Sequence, residues 1–100
     1  MPLCQLFTSR RDSELKEGIE LRLAQVVAET LGKPLERVTV VILANQRFLR
    51  MGTLEPASLL SITSVGAFDE KRNPTYTPAL KHVLQIELDL PAERRVISSV

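Results

Sequence analysis

Few groups in this chain could do chemistry at neutral pH, and their number decides much. Met1-Pro2 places a small residue after the initiator, so removal of the methionine leaves Pro2 with a free secondary amine; taken alone, that pair signals only processing. Cys4 is the single cysteine and His82 the single histidine. One thiol cannot close an internal disulfide, and one thiol with one imidazole cannot fill a zinc shell, so neither a metal nor another cofactor is expected. Nothing in the sequence sets a base beside Cys4, which reads as a strand residue rather than a nucleophile. Lys33 by itself is a solvated cation near a helix C-terminus. His82 follows Lys81 off the apolar stripe of its helix, and Asp69-Glu70-Lys71-Arg72 is a charged run, so both read as solvent-facing.

Composition narrows the classes further. Thirteen basic against twelve acidic residues leave a net charge of +1, too little for the phosphate-neutralising field that nucleic-acid binding needs. Aromatic residues at 4% with no Trp offer few stacking platforms. Hydrophobic residues at 44% against 25% charged fit an ordinary soluble globule, and no apolar run reaches the roughly 18 residues that cross a membrane. A chain of 100 residues suits one domain around one core, spanning 1–100. The N-terminus, MPLCQLFTSRRD, lacks a basic stretch followed by an apolar one, so a cytoplasmic location is expected and any export would be unconventional.

The elements that must position these groups follow from spacing. Residues 3–8 are short and apolar, a first strand that runs into Ser9-Arg10-Arg11-Asp12. Asp12 or Ser13 is placed to cap a helix, with Glu14 and Glu17 near its positive end. Leu15, Ile19, Leu23, Val26, Val27 and Leu31 recur at helical spacing and predict one buried stripe. Gly32 supplies a left-handed exit and Pro34 stops continuation. Residues 38–43 (VTVVIL) are β-branched and almost unbroken in apolarity, as in a strand buried on both faces. After a turn-like 52–56 segment, residues 59–65 predict a third strand ended by Gly66. A second helix is expected to start late, with Thr77 as N-cap and Pro78 at N1, and to carry the stripe Leu80, Val83, Leu84 and Leu88. Pro91 follows its end, and residues 95–100 close the sheet.

Leu31, Pro34, Glu36 and Arg37 recur as Leu88, Pro91, Glu93 and Arg94, each displaced by 57 residues. The repeated string falls at the helix-to-strand connection both times, so a duplicated β-α-β unit is the economical explanation, with pseudo-repeats at about 1–50 and 57–100. The fold class is then α+β, a four-stranded sheet with both helices on one face. Apolar residues on both sheet faces call for self-association as the second cover. The layout alone fixes no function. An RNA-recognition module needs aromatic sheet residues, and the strands offer only Phe7; a metal chaperone needs paired cysteines; a small-molecule regulatory domain stays open.

Met1-Pro2 opening a strand, Gly32-Lys33-Pro34 after a long helix, Glu55-Pro56-Ala57, Ser64-Val65-Gly66 and Asn73 before the second helix together resemble the macrophage migration inhibitory factor and D-dopachrome tautomerase family, over the whole chain and in order. The resemblance implies a homotrimer of tandem β-α-β units. It also implies a keto–enol tautomerase in which the Pro2 amine shuttles a proton on a small α-keto acid or dopachrome-like substrate, Lys33 pairs with the substrate carboxylate or enolate oxygen, and Ser64 and Val65 line the pocket. Arg37, Val96 and Ser98 stand where the family has pocket residues, commonly Tyr in migration inhibitory factor for Arg37, an aromatic or Tyr for Val96, and Asn for Ser98; Arg37 would add a second cation for an acidic substrate. Family members continue into a segment that clasps the neighbouring subunit, whereas this chain ends at Val100, which reads as a truncated isoform or a diverged paralogue with a weakened pocket. Ser58 and Ser61 replace a Cys-x-x-Cys pair, so thiol oxidoreductase activity is not carried over. The resemblance leaves a second class open: a cytokine-like ligand for a cell-surface receptor, or an intracellular binding protein, that keeps the fold around a vestigial site.

Overall fold

The computed structural model describes residues 2–64 and 73–99. Four strands, β1 (Leu3–Thr8), β2 (Thr39–Leu43), β3 (Ser58–Thr63) and β4 (Arg95–Ser99), form one sheet in the order β2-β1-β3-β4. β1 runs parallel to β2, with Leu3 beside Thr39, and antiparallel to β3, with Leu3 beside Thr63. β3 and β4 are parallel, with Ser58 beside Arg95. Each parallel pair is bridged by a helix, α1 (Ile19–Leu31) or α2 (Asn73–Leu88), giving two β-α-β units joined through the β1–β3 pair.

Alternation along the strands decides where the core sits. Cys4 and Leu6 on β1 and Leu60 and Ile62 on β3 are fully buried against Ile19, Leu23 and Val27 of α1 and Leu80, Leu84 and Leu88 of α2. Burying each such aliphatic side chain is worth about 1.5–3 kcal/mol, so these two stripes hold both helices on one sheet face. Both were predicted from spacing alone. Among the described residues, no helix is long and apolar enough to cross a membrane.

The helix starts differ from the prediction. Asp12–Glu14 is a separate 3₁₀ turn, and α1 begins only after Gly18, which sits at φ +82°. Glu14 is drawn into a local box, accepting hydrogen bonds from the Arg11 N–H (2.9 Å) and Arg11 Nε (3.3 Å). A side chain at Gly18 would be strained in this conformation and would meet Arg22 Nη1 at 2.9 Å, so glycine fixes the start. Conversely, α2 begins at Asn73, before the expected Thr77–Pro78 cap, and Pro78 lies inside it. Tyr76, one turn ahead of Leu80, packs on the core and favours helix there over the cost of the proline's missing N–H.

β2 is also corrected. It is an edge strand with Thr39 and Val41 exposed, not a strand buried on both faces within the chain. β3 ends at Thr63, and the Val65-Gly66 end predicted for it lies outside the described residues, as does the Asp69–Arg72 run.

An ion pair that spacing did not reveal, buried at its carboxylate and open at its arginine, ties the helices together. Arg22 Nε and Nη2 donate to the two carboxylate oxygens of Glu87 at 2.6 and 2.8 Å, and Glu87 is 5% exposed. The bidentate fork satisfies both oxygens of a carboxylate that would otherwise be costly to bury.

Candidate active site

The sheet register assembles one end of the molecule from three strands. Pro2 precedes β1, is fully buried, and its carbonyl accepts the Thr39 N–H at 3.0 Å where β2 begins. Because Leu3 faces Thr63 across the antiparallel pair, the next residue outward on β3 is Ser64, at the same end. Ser64 is 3% exposed, and its hydroxyl has no hydrogen-bond partner among the described residues. A buried hydroxyl left unpaired costs about 1–3 kcal/mol, which marks this position as unsatisfied among them.

Lys33 arrives at this end through the helix exit. Gly32 adopts φ +65°, its N–H reaches back to the Glu29 carbonyl (3.4 Å), and the Lys33 N–H donates to the Ala28 carbonyl at 3.0 Å. This closure of the last turn needs a left-handed residue at position 32, which glycine adopts without strain. Pro34 then caps a 3₁₀ turn at Leu35–Arg37, with the Arg37 N–H on the Pro34 carbonyl at 3.0 Å, and the chain enters β2 at Thr39. Lys33 is half-buried and Arg37 exposed. Among the described residues neither side chain has a hydrogen-bond or ion-pair partner.

Pro2, Lys33, Arg37 and Ser64 therefore belong to the same end of the sheet, and Val65 lies outside the described residues. Val96 and Ser98 are elsewhere in the chain. Val96 pairs with Leu59, which faces Phe7 near the other end of β1. It lines a cavity of about 310 Å³ with Phe48, Leu49 and Met51. Ser98 pairs with Ser61 at mid-strand and is exposed. Sequence reasoning missed Thr39, whose main chain anchors Pro2; its only signal was its place at the start of a predicted strand.

Other chemistry-bearing groups stand apart. Burial pushes the Cys4 thiol up to about 12, so it stays protonated and is a poor nucleophile. His82 is exposed and lines a cavity of about 630 Å³ between α1 and α2 with Arg22, Gln25, Glu29 and Ile86; this groove contains none of the residues at the Pro2 end. Among the described residues, no cluster of His, Cys, Asp and Glu could hold a metal ion.

The chain is similar to known proteins in sequence and in fold. The family model described as macrophage migration inhibitory factor (MIF) matches residues 1–100. The MIF-like protein mif-2 of Caenorhabditis elegans is 33% identical over 98 residues, covering 98% of this chain and 82% of its own. The D-dopachrome decarboxylase of Gallus gallus is also 33% identical over 98 residues, covering 97% of this chain and 83% of its own. The solved structure of the macrophage migration inhibitory factor from Trichinella spiralis has the same fold, with a TM-score of 0.93 at 24% identity over 98% of this chain and 87% of that one. With a family match over its whole length and relatives at one-third identity, the chain belongs to the macrophage migration inhibitory factor family.

Proposed function

We propose that this protein is a keto–enol tautomerase of the phenylpyruvate or dopachrome type, with the N-terminal amine of Pro2 as its acid–base group. The observation that carries the reading is the shared end of the sheet at which a buried Pro2 lies with a Lys33 cation and a Ser64 hydroxyl that have no partner among the described residues. The D-dopachrome decarboxylase relatives point to the same substrate class. An α-amino group ordinarily titrates at about 7.7–8.0, and burial disfavours its cationic form, so the free base is available near neutral pH. In the ketonising direction, the neutral Pro2 amine takes the enol O–H proton and the resulting ammonium delivers a proton to the β-carbon as the C=C bond gives way to C=O; in the reverse, the neutral amine takes the C–H proton and the ammonium protonates the enolate oxygen. Lys33 meets the carboxylate or the enolate oxygen, while Ser64 and Val65 line the pocket.

Assembly as a homotrimer belongs to the same proposal. The sheet face away from the helices carries Leu3, Phe7, Val41, Leu43, Leu59 and Val96, a surface that suits another subunit. Val96 and Ser98 would reach a Pro2 site only across such an interface.

A second reading, a cytokine-like or intracellular binding protein with a vestigial site, rests on Val96 and Ser98 themselves, which stand where the resemblance implies an aromatic or Tyr and an Asn. In that role it would act in the cytoplasm or on a cell-surface receptor after unconventional export. An enol–keto assay with phenylpyruvate, on protein whose mass shows that Met1 is gone, separates the two. Turnover that disappears when Met1 is retained supports Pro2 as the base, because an amide nitrogen has no accessible lone pair. Turnover that survives retention refutes the site, and a folded trimer without turnover favours the binding protein.

A further inference from the structure

The residue after each 3₁₀ turn takes the same main-chain bond, its N–H on the first carbonyl of the turn, but the two halves fill the position differently. Val38 packs against the core. Its counterpart 57 residues on is Arg95, so the backbone there accepts a plain apolar side chain. Arg95 lies on the helix side of the sheet, since its Nη1 donates to the Lys81 carbonyl of α2 at 2.6 Å and Ile97, two residues on, packs against the core. Its Nε is buried and has no hydrogen-bond partner among the described residues. No carboxylate among them comes within ion-pair distance of its guanidinium either. Arg94, its neighbour in sequence, is by contrast satisfied by main-chain carbonyls, with Nε on Pro56 (3.1 Å), Nη1 on Arg50 (2.7 Å) and Nη2 on Glu55. Ser58 stands beside Arg95 in the parallel β3–β4 pair and faces the same side, in line with the buried Leu60 and Ile62. Its hydroxyl is buried and also without a partner among the described residues, whereas that of Thr8, on its other side, donates to the Ala57 carbonyl at 3.0 Å.

Two unpartnered donors thus sit on neighbouring strands whose backbones are about 4.8 Å apart, and one of them belongs to a cation. Leaving either unmet is costly, the charged one more so. We propose that Arg95 and Ser58 form a buried binding site for a small monovalent anion of the halide class. The anion accepts the Arg95 Nε–H and the Ser58 O–H together, and it offsets the guanidinium charge, which a bridging water would leave uncompensated. Solvent scarcely reaches either atom, which suits a single-atom ion better than a polyatomic one. Held there, the ion joins β3 to β4 and, through the bond from Arg95 to Lys81, to α2. The second β-α-β unit is then closed by an ion at the position where Val38 closes the first by packing. The assignment does not rest on the tautomerase reading.

Crystals grown in sodium bromide, with anomalous diffraction measured at the bromine edge, test the site directly: a peak is expected within hydrogen-bond reach of both Arg95 Nε and Ser58 Oγ. Thermal melts at constant ionic strength then compare sodium chloride with sodium gluconate, whose anion is too large to enter. Chloride should raise the melting temperature of the wild type by about 2 °C or more, the shift produced by an ion at or above its dissociation constant. Arg95→Met keeps an apolar stem but removes the donor and the charge, and is expected to abolish the shift. Ser58→Ala reduces it, and Arg47→Ala, at an exposed arginine between β2 and β3, keeps it. Should Arg95→Met fail to fold, the bromide peak in the wild type decides. The assignment is overturned by a water without bromide between the two atoms, by wild-type melts that coincide in the two salts, by a chloride shift that Arg95→Met retains, or by one that Arg47→Ala lowers as much as Arg95→Met does.

Discussion

The connections at residues 31–37 and 88–94 begin with the same leucine, bend at the same proline and end on the same Glu-Arg pair, but one is open and the other closed. At the helix exit, Gly32 at φ +65° corresponds to Asp89 at φ +51°. One residue later a half-buried lysine corresponds to a leucine in the core. At the end of the turn an exposed arginine corresponds to one enclosed by three carbonyls of the 50–56 loop. A single backbone solution therefore serves two purposes. In the second half it clamps a loop, and in the first it leaves cations free where Pro2 is buried.

The harshest way to break the contrast is to exchange the residues after the helix exit. Leu90→Lys puts an ammonium among core side chains with no acid to receive it, and should cost about 3–5 kcal/mol or prevent folding, seen as a lost or strongly lowered thermal transition. Lys33→Leu should leave the melting temperature almost unchanged, since Lys33 has no partner to lose, while tautomerase kcat/KM falls roughly ten- to a hundredfold with the charge-assisted contact. A Lys33→Leu protein that melts far below the wild type would mean that the lysine is structural.

The arginines should separate almost as clearly. Arg94→Ala strands three carbonyls and empties a buried site, so a loss of about 3 kcal/mol is expected in denaturant unfolding, whereas Arg37→Ala should stay within about 0.5 kcal/mol. Equal effects would show that the closed clamp contributes nothing the open turn lacks.

How much of this was legible beforehand depends on whether a contact leaves a pattern. The stripes ending at Leu31 and Leu88 were readable, because helix burial imposes a period on the sequence. The shared string located both connections. Nothing in it distinguished Arg37 from Arg94, since the carbonyls that enclose Arg94 come from residues about forty positions away. Gly18 was overlooked because Asp12, Ser13 and Glu14 form a good cap signal that is used for a 3₁₀ turn instead. β2 looked interior because its apolarity was judged without knowing that it lies at the sheet edge. Of the residues expected at the site, Pro2, Lys33 and Ser64 follow from register once the strands are right; Val96 and Ser98 do not join them in one chain.

The Arg22–Glu87 pair marks another place where the halves differ, as the residues 57 positions away are Ala79 and Thr30. Hydrogen bonding to Arg22 holds the Glu87 carboxyl below its ordinary range, against the opposing effect of burial. A depressed carboxylate stabilises the fold above its unfolded pKa, near 4.3, and that contribution is lost as pH falls through the lower folded value. Stability should accordingly drop on acidification below about pH 4.3, and Glu87→Gln should flatten that part of the profile. An unchanged acid limb in the variant would assign the drop to other carboxylates.

The smallest effect is expected at the exits themselves. A Cβ at Gly32 meets nothing within 4 Å, so Gly32→Ala tests backbone conformation without a clash, and left-handed strain should destabilise by about 1 kcal/mol. Asp89→Gly relieves the same strain at φ +51° and keeps both main-chain bonds there, the Asp89 N–H to Gln85 at 2.9 Å and Arg10 Nη2 to the Asp89 carbonyl at 3.1 Å. The gain is partly offset by the greater freedom of glycine in the unfolded chain, leaving about 0.5 kcal/mol of stabilisation. Opposite signs for the two variants in paired urea titrations would trace the exit difference to backbone conformation. A loss on Asp89→Gly would instead mean that the Asp89 side chain contributes more than its strain costs, and the second connection would then be closed by its helix exit as well as by Arg94.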